Sequence, residues 1–147
     1  MADKKFAKLG AQIGDLEAAF QGRRADAEVL RNAERFASAM AMALFALEIQ
    51  LKILICRRLD LQALPTEFQT HDLEGLLVLS GLSRRMEEAD EKVRENWSFI
   101  LGGYNNIHVN KFRYSADDSN LEHQSVEVFE RLFEKPHGVL TWLAAQS

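Results

Sequence analysis

Glu48 and Lys52 stand four residues apart inside "LFALEIQLKILI", residues 44–55, where nearly every other side chain is apolar. Glu placed one helical turn before Lys is the favourable order for an ion pair along a helix. Counted from the apolar stripe, both fall on a flank with Phe45 and Cys56 and away from the solvated side. Two arrangements satisfy this: a salt bridge at a helix–helix seam, or a polar patch in a groove or dimer interface. The company of Phe45 and Cys56 favours a covered pair.

Other residues carry chemistry of different kinds. His71 and Asp72 open "HDLEGLL", where Asp complements a helix N-terminus and accepts its orphan N–H groups; His71 beside it is a cap neighbour or a ligand contact. Arg113 and Tyr114 offer a phosphate fork and a stacking face, a sensible pair for a nucleotide. An Arg113 bridge to Asp117 or Glu122 with a packed Tyr114 fits the same residues equally well. His108 and His123 flank this segment, and Asp117 and Asp118 lie close by, at spacings that match no metal-binding pattern. No metal is therefore expected. Cys56, the single cysteine, excludes an internal disulfide and a multi-cysteine zinc site, and its apolar surroundings suit an inert thiol. "GGYNN" follows no strand and lacks the Lys-Ser/Thr ending of a phosphate loop, and no G-x-S-x-G element is present, so no cofactor is expected.

The elements that must position these residues are helical. Phe6, Leu9, Ile13, Leu16 and Phe20 repeat at three- and four-residue steps, with Gly22 as a stop. The spacing resumes from Leu30 to Leu54 and predicts one long helix over about 26–59. Pro65 breaks continuity. A short helix follows, starting near Thr70 or His71 and ending near Gly81. Leu82, Met86, Val93, Trp97, Ile100 and Tyr104 then mark a helix over about 84–105, with Trp97 in the core. Gly102 and Gly103 would permit close helix approach at an interface. "NNIHVNKFRYSADDSN" is a polar loop without a helical period. Ser119 and Glu122 form an S-x-x-E capping box for a helix through Phe133; Pro136 and Gly138 interrupt it, and "VLTWLAA" adds a final turn or two. The expectation is an all-α, up-and-down bundle of about five helices.

With 147 residues, the chain forms one domain, 1–147, with a real core. A net charge of −4 provides no global positive field for nucleic acid or anionic membrane. The pairs Arg23/Arg24, Arg57/Arg58 and Arg84/Arg85 read as solvated helix ends. The N-terminus lacks the continuous apolar core of a secretory signal, and Ser38, Glu48, Gln50 and Lys52 disfavour a membrane span, so a cytoplasmic protein is the simplest expectation.

In order and spacing, "ALFALEIQLKILI", then "THDLEGLL", then "ILGGYNNIHVNKFRYS" resemble the signatures of HEPN domains. These are an A-x-E-x-x-L-K-x-L helix, an H-D-L helix start and an L-x-x-x-Y…R-Y segment, here with a longer spacer. The likeness runs over about 35–134. It implies a helical bundle of four or five helices, usually a homodimer. It also implies either a binding module that partners a small nucleotidyltransferase, with a nucleotide or nucleic-acid end as ligand, or a metal-independent endoribonuclease of a toxin–antitoxin or phage-defence system. Glu48, Lys52, His71, Asp72, Arg113 and Tyr114 are the ligand-binding candidates. The family's ribonucleases carry an R-x4–6-H motif, in which His moves a proton at the attacking 2′-hydroxyl and Arg stabilises the phosphorane. The formal match is Arg131 to His137, "RLFEKPH". Leu132 replaces the usual polar neighbour, Pro136 breaks the helix, and the match follows the R-Y segment, so Arg131 and His137 are weak catalytic candidates. The binding module is therefore the leading expectation.

Overall fold

The computed structural model describes residues 11–106, 108, 112 and 119–146. Among them are seven α-helices and no strand: α1 (Ile13–Asn32), α2 (Phe36–Arg58), α3 (Leu73–Leu79), α4 (Ser83–Glu87), α5 (Glu91–Tyr104), α6 (Glu122–Phe133) and α7 (Val139–Gln146). Short 3-10 turns lie at Thr66–Phe68 and Ser119–Leu121. A single antiparallel bridge, Gln12 to Ala63, ties the chain before α1 to the segment after α2. The all-α expectation holds. The helices are more numerous than about five because α4 separates from α5 and the C-terminal segment forms a helix of its own.

The organising element is α2, 23 residues long and buried at 17 of them. Its sequence is apolar all the way round, which suits a helix covered on every side. Its most extensive partner is α1, and α3, α6 and α7 cover other faces. By length and composition α2 could cross a membrane, but 78% of its most apolar window is already buried inside the fold. That makes it the core helix.

Several boundaries differ from the sequence expectation. Gly22 does not stop a helix; α1 runs through it to Asn32. The break falls at Ala33–Arg35 instead, so the long helix begins at Phe36 and not near residue 26. The cause is a Schellman closure: Glu34 takes the left-handed conformation at φ 60°, its N–H bonds the Arg31 carbonyl at 3.0 Å, and the Arg35 N–H bonds that of Leu30 at 2.8 Å. Asp60, at φ 54°, ends α2 in the same way, with the Leu61 N–H on the Cys56 carbonyl at 2.8 Å. Gly81, at φ 80°, ends α3 as its sequence suggested, and a side chain there would also strike the Arg58 guanidinium.

The helix expected over 84–105 is split at Glu88–Asp90, where Asp90 caps α5 by accepting the Lys92 N–H at 2.9 Å. Ser119 does not stand at the N-cap of α6: a 3-10 turn intervenes, Leu121 is the cap residue, and it has no side chain able to accept. Trp97 is buried in the core. Gly102 and Gly103 meet no described neighbour, since a methyl built at either finds nothing within 4 Å. The tight backbone approach falls at Gly138, in the turn between α6 and α7, where such a methyl would lie 2.6 Å from the Leu132 carbonyl oxygen and the Glu134 nitrogen.

Candidate functional site

Glu48 sits midway along α2 and is 1% exposed. A bare carboxylate at that depth would be severely penalised, so its partners decide whether it is tolerated. Lys52, one turn on, places Nζ 2.7 Å from Glu48 Oε2. The other oxygen, Oε1, lies 2.8 Å from His71 Nδ1 and 2.8 Å from His108 Nε2. An ionised carboxylate only accepts, so these three nitrogens donate, which assigns the proton to Nδ1 of His71 and to Nε2 of His108. The two imidazoles meet edge-on, centroids 6.2 Å apart at 87°.

Burial by itself pushes the Glu48 carboxyl up. The bonds from His108 and Lys52, the attraction of the Lys52 charge and the bond from His71 outweigh it and lower the pKa from 4.5 to about 2. Glu48 is therefore ionised at neutral pH and acts as a fixed negative hub. The covered arrangement expected for Glu48 and Lys52 is the one observed.

The four residues differ in access. Glu48 and His108 are sealed, Lys52 is nearly so, and the His71 side chain is 49% exposed. With Nδ1 committed to Glu48, Nε2 at the far corner of the His71 ring remains for an incoming group. The backbone around His71 is held firmly. Asp72 caps α3 by accepting the Gly75 N–H at 3.2 Å, as its place in the sequence suggested. Asn105, at the end of α5, accepts the Leu73 N–H at 2.6 Å and donates to Asp72 Oδ1 at 3.2 Å. The end of α5 thus clamps the start of α3, while His108, just beyond it, anchors to the hub. Its Nδ1 faces the Tyr104 carbonyl at 3.3 Å.

Of the sequence candidates, Glu48, Lys52 and His71 come together here, while Asp72, next to His71 in the chain, turns its carboxylate to the start of α3 and to Asn105. Arg113 and Tyr114 lie outside the described residues. Arg131 and His137 belong to a separate network around Asn96, which is 7% exposed. Asn96 accepts from Arg131 Nη1 at 3.1 Å and donates to the His137 backbone carbonyl at 2.9 Å. The Arg131 guanidinium stacks 4.7 Å from the Phe99 ring centroid, and His137 Nε2 lies 3.7 Å from Asp90 Oδ1. These contacts join α5, α6 and the turn before α7, a structural use of both residues.

Sequence reasoning missed His108 and Asn105. His108 is separated from Glu48 by 60 residues, so no local pattern announces the pairing. Asn105 looks like an ordinary helix end. Among the described residues no group of three or more His, Cys, Asp or Glu is arranged to hold a metal ion. Cys56 is fully buried, its thiol pushed up by desolvation, and contributes nothing to the site. No protein-family model, curated protein or solved structure matches the chain.

Proposed function

We propose that the chain is a HEPN-like binding module that takes a phosphate-bearing ligand, a nucleotide or nucleic-acid end, at His71. On this reading it acts as a homodimer and as the partner of a small nucleotidyltransferase. The observation that carries it is the Glu48 hub, one sealed carboxylate that fixes a half-exposed histidine through a single ring nitrogen. A positioned imidazole with its second nitrogen available is a donor for an anionic oxygen when protonated and a base when neutral. The ordered A-x-E-x-x-L-K-x-L and H-D-L signatures supply Glu48, Lys52 and His71, which meet at the hub, and Asp72, which caps the helix that follows His71. The nucleotidyltransferase partner rests on the resemblance alone, and the dimer on the resemblance together with Gly102 and Gly103 at the end of α5.

The same geometry favours one version of the ribonuclease alternative. A base held by a buried carboxylate is the general arrangement of an oriented proton acceptor, so His71 is a better placed base than His137. A single experiment separates the readings. Short single-stranded RNA is titrated into the protein by fluorescence anisotropy and then incubated with it in the presence of a chelator. The binding module predicts saturable association, weakened about tenfold in His71→Ala, about 1.4 kcal/mol, with the RNA left intact. Chelator-resistant cleavage lost in His71→Ala would establish the nuclease; cleavage lost only in His137→Ala would restore the formal motif. Absence of association would remove the nucleic-acid reading.

A further inference from the structure

The face of α2 opposite Glu48 presents a second set of residues. Gln50 lies two positions on, about 200° around the helix axis, and Ile53 and Arg57 continue its face. There α1, α2, α7 and the end of α6 line a half-open cleft of about 690 Å³, a size within the range of small-molecule sites. Gln50 is 7% exposed, yet its amide makes no hydrogen bond among the described residues. Its polar atoms are not sealed into the core; they open into this cavity. An amide that faces a cavity without a protein partner keeps its donor and its acceptor for solvent or a ligand.

The walls favour a ligand. Phe20 and Phe133 are half-buried aromatic surfaces on opposite elements, α1 and α6. Arg24, Arg57 and Lys135 also line the cavity, against one acid, Glu17. That acid is engaged by Arg57 at 3.1 Å. The Arg24 guanidinium lies 5.8 Å from the Phe133 ring centroid, and neither it nor Lys135 has a carboxylate partner among the described residues. Among the described residues the lining therefore carries two positive charges without a carboxylate partner, on a chain whose net charge is −4.

We propose that this cavity binds a small aromatic anion with the chemistry of a nucleoside monophosphate. The planar ring lies against Phe20 and Phe133, the Gln50 amide reads a donor–acceptor edge at the floor, and Arg24 and Lys135 take the phosphate at the mouth. Each wall answers to one part of that ligand. Aromatic faces stack on a ring, a carboxamide offers both a donor and an acceptor, and an Arg fork beside a Lys matches a dianion. The site is independent of the His71 reading, because the two occupy opposite faces of α2.

The test is calorimetric titration of the full chain with the common ribonucleoside monophosphates, the parent nucleosides and inorganic phosphate. At least one nucleotide should bind saturably, with its nucleoside and phosphate each weaker by about tenfold. Gln50→Leu should weaken that binding about tenfold without lowering the melting temperature, because it replaces a partnerless amide with an apolar side chain of similar size. Arg24→Ala/Lys135→Ala should weaken it by a similar factor and reduce its salt sensitivity. His71→Ala should leave it unchanged. No saturable binding at millimolar nucleotide, phosphate binding as tightly as the nucleotides, or binding lost in His71→Ala and retained in Gln50→Leu would each overturn the proposal. A lower melting temperature in Gln50→Leu would show a structural role for the amide and overturn its assignment.

Discussion

At the scale of single residues, the chemistry turns on how one carboxylate serves three donors. Removing Lys52 leaves Glu48 with both histidine bonds, whereas Glu48→Gln leaves one amide oxygen where two carboxylate oxygens served three donors, and strands the Lys52 charge. Breaking a buried ion pair from one side costs about 3 kcal/mol or more, so Glu48→Gln is expected to reach that value and Lys52→Met to fall below it. The double variant Glu48→Gln/Lys52→Met should cost less than the sum of the two. Urea denaturation at several protein concentrations measures this cycle, and near-zero coupling would mean the pair is solvated. The same titrations across pH check the hub's ionisation. The folded-state pKa of Glu48 is depressed, so its contribution is present above the unfolded value of 4.5 and disappears as pH falls towards about 2. Wild type should lose stability through that window more steeply than Glu48→Gln. The sequence made Glu48, Lys52, His71 and Asp72 legible because each belongs to a short local pattern. It did not reveal His108, whose partner lies 60 residues away.

At the scale of elements, helix interiors were readable and several helix ends were not. Three helices close with a left-handed residue, Glu34, Asp60 or Gly81. Only Gly81 carries the customary signal, because glycine alone adopts that conformation without a steric penalty. The break after α1 at Glu34 is invisible to a periodicity that continues through it. The strain there has a measurable consequence. Glu34→Gly removes the unfavourable contact of Cβ with the backbone and should raise stability by about 1 kcal/mol. Asp60→Gly should yield less, because Asp tolerates the left-handed region better than Glu. Thermal denaturation of both variants measures the difference, and a lower melting temperature in Glu34→Gly would contradict this account of the break.

At the scale of the whole molecule, the question is how much apolar surface the chain leaves uncovered. A 23-residue helix as apolar as α2 is the first place to look for a surplus. In the structure α1, α3, α6 and α7 cover it, and among the described residues only Val29, Leu59 and Val78 are large hydrophobics left exposed. α2 therefore leaves no such surplus, and the proposed dimer must use another face. The open side of α5 at Gly102 and Gly103 is the region the sequence pointed to. A two-fold dimer through it should bury more than about 1,200 Å² in total and show twice the monomer mass by light scattering at micromolar concentration. Gly102→Arg should shift it to monomer without unfolding the chain. A wild-type monomer under those conditions would remove the dimer from the proposal.

The sequence by itself determined that the protein is helical, that its most apolar segment is its longest helix, and that Glu48 and Lys52 lie one turn apart on a covered flank. These follow from periodicity and composition, which act over a few residues. Only the tertiary structure decided which distant groups complete the hub and which cavity receives Gln50. Only the fold could show that Asn96 draws Arg131 and His137 into a scaffold. Such pairings depend on how helices far apart in the chain pack together, and desolvation makes a buried charge or amide depend on whichever partner that packing brings.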